Sequence, residues 1–211
     1  KPIVLGNTTN DVICVVKEIA SNKNAPLSLA SLSCNYTSAL LGACQLENTA
    51  TVVEVVKQLR ILNWRISEKS LINGLQNIIV NTGLRGRWEQ IGFNPRVICD
   101  TGHNIHAIKS IVEHLKKETY NNLWIVLGMV ADKDVSGILN LLPKDANYIF
   151  CQANIPRALS SDDLLQKAKL FSLRGMVVSE PKSALIRAQE LANENDLVFV
   201  GGSAFVVAEI L

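Results

Sequence analysis

The sequence predicts an α/β protein: a doubly wound, mostly parallel six-stranded sheet over residues 85–211, preceded by an incomplete α/β piece over residues 1–84. Three observations predict it. First, six short apolar runs follow one another after residue 84, "RWEQI", "RVICD", "LWIVLG", "NYIFC", "GMVVS" and "LVFVGG". Most are continuous in Val, Ile, Leu or Phe rather than alternating, which suits strands covered on both faces. Second, segments of helical length separate the last five runs, and a helix between two strands forces a parallel crossover. Third, only the short "GFNP" turn separates the first two runs, so the first strand is expected to run antiparallel to its neighbour.

The elements follow in order. "PIVLG" at 2–6 reads as a strand, 10–21 as a helix and "APLSLA" as another short apolar stretch. The irregular "SLSCNYTSALLGACQLEN" leads into a helix at about 50–62, with Val52, Val53, Val56, Leu59 and Leu62 on one stripe. A second helix starts near Ser67 as its cap and is expected to bury Leu71, Leu75, Ile78 and Ile79, with Gly83 as its stop. Two strand candidates cannot complete a sheet, so this half looks like part of a domain. Beyond Arg85 the helices are placed at about 104–118, 134–142, 160–170 and 181–193, with a terminal one from Ser203. Ile105, Ile108, Ile111, Val112 and Leu115 should face the core, and His114, beside Glu113, reads as surface.

Composition excludes several classes. Lys+Arg 21 against Asp+Glu 19, without a basic run or arginine-aromatic interleaving, leaves no footprint for a nucleic-acid partner. Apolar runs break well before the roughly 18 residues of a membrane span. The five cysteines, Cys14, Cys34, Cys44, Cys99 and Cys151, are odd in number and lack C-x-x-C spacing, which reads as a reduced, cytoplasmic chain. Cys14, Cys99 and Cys151 stand among apolar neighbours as small buried hydrophobes. No signal-peptide pattern is present, and the start at Lys1 rather than Met puts the native beginning out of view.

Three strand ends are chemically loaded: Asp100-Thr101-Gly102-His103-Asn104, then Gly128 to Asp134 with Lys133 inside it, and Gly201-Gly202-Ser203. Doubly wound sheets bind ligands at the carboxyl ends of their strands, and helix starts favour anions. Each signal also has a plain structural reading: Asp100, Asn104, Asp132 or Asp134 as a helix cap, Lys133 as a solvated charge, the glycine pair as a tight turn. There is no G-x-x-x-x-G-K-[ST] phosphate loop, and no strand leads into G-x-G-x-x-G. Asp100, His103 and His106 together have the donor types of a catalytic metal site, so a metal-dependent hydrolase is one alternative. A non-catalytic nucleotide-binding module is another.

"GLRGRWEQIGFNPRVICDTGHN", "VLGMVADKDVSGIL" and "FVGGSAFVVAEIL" resemble, in this order, the carboxyl-terminal region of bacterial folylpolyglutamate synthase, often bifunctional as dihydrofolate synthase, a branch of the Mur ligase superfamily. The likeness covers 83–211. It extends through 1–82, where "KPIVLG" and "LLGACQLENTATVVEVVKQL" look like the end of the family's central ATPase domain. The resemblance implies a Rossmann-like carboxyl-terminal domain and an ATP-dependent ligase adding L-glutamate to the γ-carboxylate of folates, or to dihydropteroate, through an acyl phosphate. It implies that Asn48, Arg87 and Asp100 contact ATP, that Arg87 and His103 are catalytic, and that His103 and Ser203 bind glutamate. Lys133 and Asn104 become rim or phosphate contacts. His103 and Ser203 should then face one solvent-accessible cleft with Lys133 on its rim. Magnesium is implied as a cofactor, with its ligands, the phosphate loop and the folate site in an amino-terminal portion outside this sequence, so the fragment alone should be inactive. Partners are small molecules only, and the full-length enzyme is expected to be a monomer. Three departures stand out: "LASLSCNYTSALLGACQ" is shorter than in the family, Thr101-Gly102 replace a frequent Val-Ala, and Ile105 replaces a proline.

Overall fold

The structure, a computed structural model, describes residues 1–33, 35–42 and 44–211. The reading of Cys34 as a reduced thiol lies outside the described residues. The chain divides into two compact units, Lys1–Leu84 and Arg85–Leu211.

In the first unit β1 (Ile3–Leu5), α1 (Asn10–Asn22) and β2 (Leu27–Leu29) form a β-α-β crossover, with the strands parallel and Ile3 opposite Leu27. Next comes α2 (Cys44–Ile61), which starts six residues before the expected helix because the Gln45-Leu46-Glu47-Asn48 turn is already helical. Ser67 caps α3 (Glu68–Gln76) by accepting from Ser70 N at 3.0 Å. The expected single helix is in fact two. Asn77 leaves helical geometry, and its side-chain amide donates to Asn73 O at 2.9 Å, so the chain restarts as α4 (Ile78–Thr82), which stops at Gly83. That break takes Ile79 out of the core, and it is exposed. Val52 and Leu62 are exposed too. The small core is Val53, Leu71 and Leu75, with Tyr36, Val56 and Ile78 packed on it. Cys14, expected inside, is exposed on α1.

The second unit contains β3 (Glu89–Phe93), β4 (Arg96–Cys99), α5 (Ile105–Leu115), β5 (Leu123–Leu127), α6 (Val135–Leu141), β6 (Asn147–Phe150), α7 (Ser161–Lys169), β7 (Arg174–Val177), α8 (Pro181–Leu191), β8 (Leu197–Gly201) and α9 (Ala204–Ile210). They build a six-stranded sheet of order β3-β4-β8-β5-β6-β7, antiparallel only between β3 and β4. This is the expected architecture, with the last strand inserted at the centre. Alternation along each strand feeds two cores. Ile98, Ile125, Leu127 and Phe199 face the layer of α5, α6 and α7, whereas Val97, Cys99, Val126, Val198 and Val200 face α8 and α9. On α5, Ile108, Ile111, Val112 and Leu115 are buried as expected, but Ile105 is exposed in the first turn.

At the amino-terminal edge of this sheet, buried Asp196 ties two loops together. It accepts from Asn122 N and Asn122 Nδ2 at 2.9 Å each and from Asn193 N at 2.8 Å. Burial alone raises its carboxyl pKa, but these hydrogen bonds outweigh burial and hold it below the usual carboxylate range. A depressed folded-state pKa stabilises above the unfolded value and is lost as pH falls through the folded one. Urea midpoints should therefore fall on acidification below about pH 4. Asp196→Asn should lose about 2 kcal/mol at pH 7 and show a shallower acid decline. Equal acid slopes for the two proteins would exclude Asp196 as a source of that decline.

Candidate active site

The parallel registers put three loaded segments on one edge of the sheet. Cys99 lies opposite Val200 and Leu127 opposite Gly201, so the loops after β4, β8 and β5 leave the sheet side by side. Nothing in chain proximity brings residues 100–104 and 203 together. The winding of the sheet does.

Asp100 holds the site's backbone. Its Oδ2 accepts from Trp88 N at 2.8 Å and its Oδ1 from Gly102 N at 2.7 Å. Thr101 N donates to Gly86 O at 3.0 Å, and Gly86 N to a Glu89 carboxylate oxygen at 2.7 Å. The Gly86-Arg87-Trp88 turn is thereby pinned to the end of β4. Gly86 has φ +70, and a Cβ there would meet Thr101 Cγ2 at 2.8 Å, so both conformation and space require glycine. Burial raises the Asp100 carboxyl above its usual range, opposed by the Gly102 and Trp88 amides and then by the charges of Arg87 and His114. Arg87 itself is exposed and makes no ion pair among the described residues.

His103 is half-buried, with Nδ1 3.0 Å from Thr101 O. A carbonyl oxygen only accepts, so Nδ1 carries the proton and Nε2 is left as the acceptor in the neutral ring. Asn104 caps α5 by accepting from Ala107 N at 2.9 Å, and Asp134 caps α6 by accepting from Gly137 N at 2.9 Å. Between these caps lies a cleft of about 310 Å³ walled by His103, Asn104, Ile105, His106, Lys133, Asp134 and Ile138. The structure thus brings His103, Asn104 and Lys133 together. Ile105, exposed where a core residue was expected, is an apolar wall of this cleft.

Ser203 differs from expectation. It is on the same edge, but it is only 2% exposed, does not line the cleft and accepts from Phe205 N at 3.2 Å as the cap of α9. The cause is the tight turn before it: Gly202 has φ +88, and a Cβ there would meet Leu127 Cδ1 at 2.6 Å and Gly128 O at 2.7 Å. Asn48 belongs to the first unit, on α2, where its Nδ2 donates to Gln45 Oε1 at 3.2 Å.

The metal alternative is not supported. Among the described residues no three His, Cys, Asp or Glu side chains are grouped to hold a metal ion. His114 is a second correction. It is half-buried and forms a T-shaped pair with the buried Trp88 ring, with centroids 4.8 Å apart, because α5 turns that position inward over the Trp88 loop. Sequence reasoning missed Arg157. It ion-pairs with Asp132 at 3.3 Å and lies over the Phe205 ring at 4.9 Å, which brings a guanidinium to the same edge. Its sequence signal is faint, a single arginine in the loop after β6. Among the described residues no helix is long and apolar enough to cross a membrane.

Residues 86–204 match the family described as Mur ligase, glutamate ligase domain. A probable bifunctional folylpolyglutamate synthase/dihydropteroate synthase of Haloferax volcanii is 32% identical over 81% of this chain and 20% of its own length. The dihydrofolate synthase/folylpolyglutamate synthase of Escherichia coli K12 is 25% identical over 100% of this chain and 51% of its own. Among solved structures, E. coli FolC in complex with DHPP and ADP superposes with TM-score 0.82 at 24% identity, over 100% of this chain and 52% of that one. A bifunctional folylpolyglutamate synthase/dihydrofolate synthase with Mn, AMPPNP and L-glutamate bound gives 0.81 at 25% identity, over 100% and 52%. The chain thus spans from one fifth to about half the length of these relatives.

Proposed function

Since the chain belongs to the Mur ligase family through its glutamate ligase domain, we propose that it is the glutamate-binding part of an ATP-dependent ligase that extends folates, acting in the cytoplasm on small-molecule substrates. The first unit is read as the carboxyl-terminal part of the central ATPase domain, with Asn48 as its nucleotide contact. In the proposed reaction the γ-phosphoryl of ATP passes to the folate's terminal γ-carboxylate, giving an acyl phosphate and ADP. The glutamate amine then attacks the acyl carbon, an amide forms, inorganic phosphate leaves and the amine loses a proton.

The observation that carries the reading is the cleft where His103 and Lys133 share a wall at the carboxyl edge of the sheet. A carboxylate of glutamate is matched by the Lys133 ammonium, and the His103 Nε2 lone pair suits an amine N–H, orienting the nucleophile. Arg157 supplies a second cation near that edge. Arg87, exposed and without an ion pair among the described residues, is read as the group that meets phosphate oxygens, and Asp100, which holds its turn, is read as reaching the nucleotide sugar through a lone pair that neither amide uses. Ser203 accepts from Phe205 N and keeps its hydroxyl proton and a second lone pair, so it is read as a glutamate contact only if the rim above it opens. Magnesium, when bound, neutralises phosphate charge; the described residues offer it no cluster of ligands, and no step here is routed through it.

Two measurements test this. Titrating the isotopically labelled chain with L-glutamate should shift His103 and Lys133 resonances, with D-glutamate much weaker. Shifts confined to the opposite edge around Arg96 and Asp196 would overturn the site. Incubated with ATP, a folate and labelled glutamate, the chain alone should form no product, because the sequence holds no phosphate loop to cradle the β- and γ-phosphates. Clear turnover would show that this chain needs no further ATPase segment.

A further inference from the structure

The Gly86-Arg87-Trp88 turn is held from a side that the proposed reaction does not use. Trp88 has φ +47, a left-handed conformation that bulky residues adopt only when their surroundings over-determine it. Three contacts do so. Its N–H is held by Asp100 at 2.8 Å, its ring lies against Phe199 with centroids 6.0 Å apart, and the His114 ring meets it in a T-shaped pair at 4.8 Å and 83°. Phe199 belongs to the central strand and Asp100 to the end of β4, so both are fixed by the sheet. His114 closes the remaining side from the last turn of α5. Burial, followed by the charge of Lys117, holds the imidazole below the usual histidine range against Glu118 and Asp100.

We propose that His114 is a positioning residue: its ring locks Trp88 in the left-handed turn and so fixes the direction in which Arg87 leaves it. Only the kinetic consequence rests on reading Arg87 as the phosphate contact. If the ring is removed, the indole can swing into the space beside α5, Trp88 N–H leaves Asp100, and Arg87 samples several directions. Phenylalanine supplies a ring of similar shape without a titrating group.

Amide hydrogen exchange in this 211-residue chain tests the first link. In His114→Ala the Trp88 amide should exchange about tenfold faster, with Val126 in the sheet interior unchanged, and His114→Phe should return Trp88 to within about twofold of the parent. Unaltered Trp88 exchange in His114→Ala overturns the proposal. So does equal loosening of Val126, which would make His114 a general packing residue. In the complete ligase, His114→Ala should lower kcat with the KM for glutamate unmoved, and His114→Phe should restore it. A clear exchange effect without any change in kcat would instead sink the phosphate role of Arg87 and leave the positioning role standing.

Discussion

Arg87→Ala in the complete ligase should lower kcat about a hundredfold, the usual cost of deleting one electrostatic stabiliser of a transferring phosphoryl group. The structure makes this a clean experiment. Arg87 is exposed and unpaired among the described residues, so its removal should change stability by no more than about 0.5 kcal/mol. Its position is set by backbone contacts of Gly86 and Trp88 with Thr101 and Asp100, none of which needs the guanidinium. Arg87→Lys should recover only part of the rate, because an ammonium cannot make the forked, two-bond contact to phosphate oxygens. Parent-like kcat in the alanine variant, measured with saturating ATP and glutamate, would return Arg87 to the solvated surface.

Asp100→Ala should do more damage to the protein itself. Two amides, Trp88 N and Gly102 N, lose their acceptor in a buried site, and the left-handed Trp88 turn loses one of its three restraints. The cost should be about 2–3 kcal/mol, or roughly 10 °C in Tm for a unit of this size. The raised carboxyl pKa gives the sign with pH. A folded-state pKa above the unfolded one means stability that is full at low pH and lost as pH rises through it. The parent should therefore gain from this site on acidification where Asp196 loses, and Asp100→Ala should remove that gain. In the complete ligase the variant should raise the KM for ATP and also depress kcat, because Arg87 rides on the same turn. A KM effect with unchanged kcat and Tm would mean that only a sugar contact had been lost.

The second unit was legible because its period is simple. Continuous apolar runs ended in polar motifs, and the helices between them required parallel crossovers, though not the order in which the strands lie. Parallel winding also told which residues share an edge. It could not tell which side chains reach the rim, since a residue's exposure next to a strand end depends on backbone angles. Ser203 shows this: its motif suggested a ligand contact, but the left-handed Gly202 turns the hydroxyl beneath the rim as a helix cap. His114 and Arg157 fail for another reason. Each gains its meaning from an aromatic ring distant in sequence, Trp88 and Phe205, and a single sequence does not display such pairs. In the first unit helices stand where they were expected, but their lengths, one break and several of the expected buried positions differ. Asn77 stops a helix by bonding its own side chain to Asn73, a local competition that a stripe of Ile and Leu hides.

The central place of β8 constrains how the second unit is made. β4 and β5 do not pair with each other; each waits for Leu197–Gly201, which arrives about seventy residues or more after both have been synthesised. Until β8 arrives, β4 and β5 each present an edge whose partner in the folded sheet is missing. Both edges are open to wrong pairing during that interval. Only when the final strand pairs with both do the ends of β4, β5 and β8 come into line. The edge that carries His103 and Lys133 is thus completed by the strand made last in this unit.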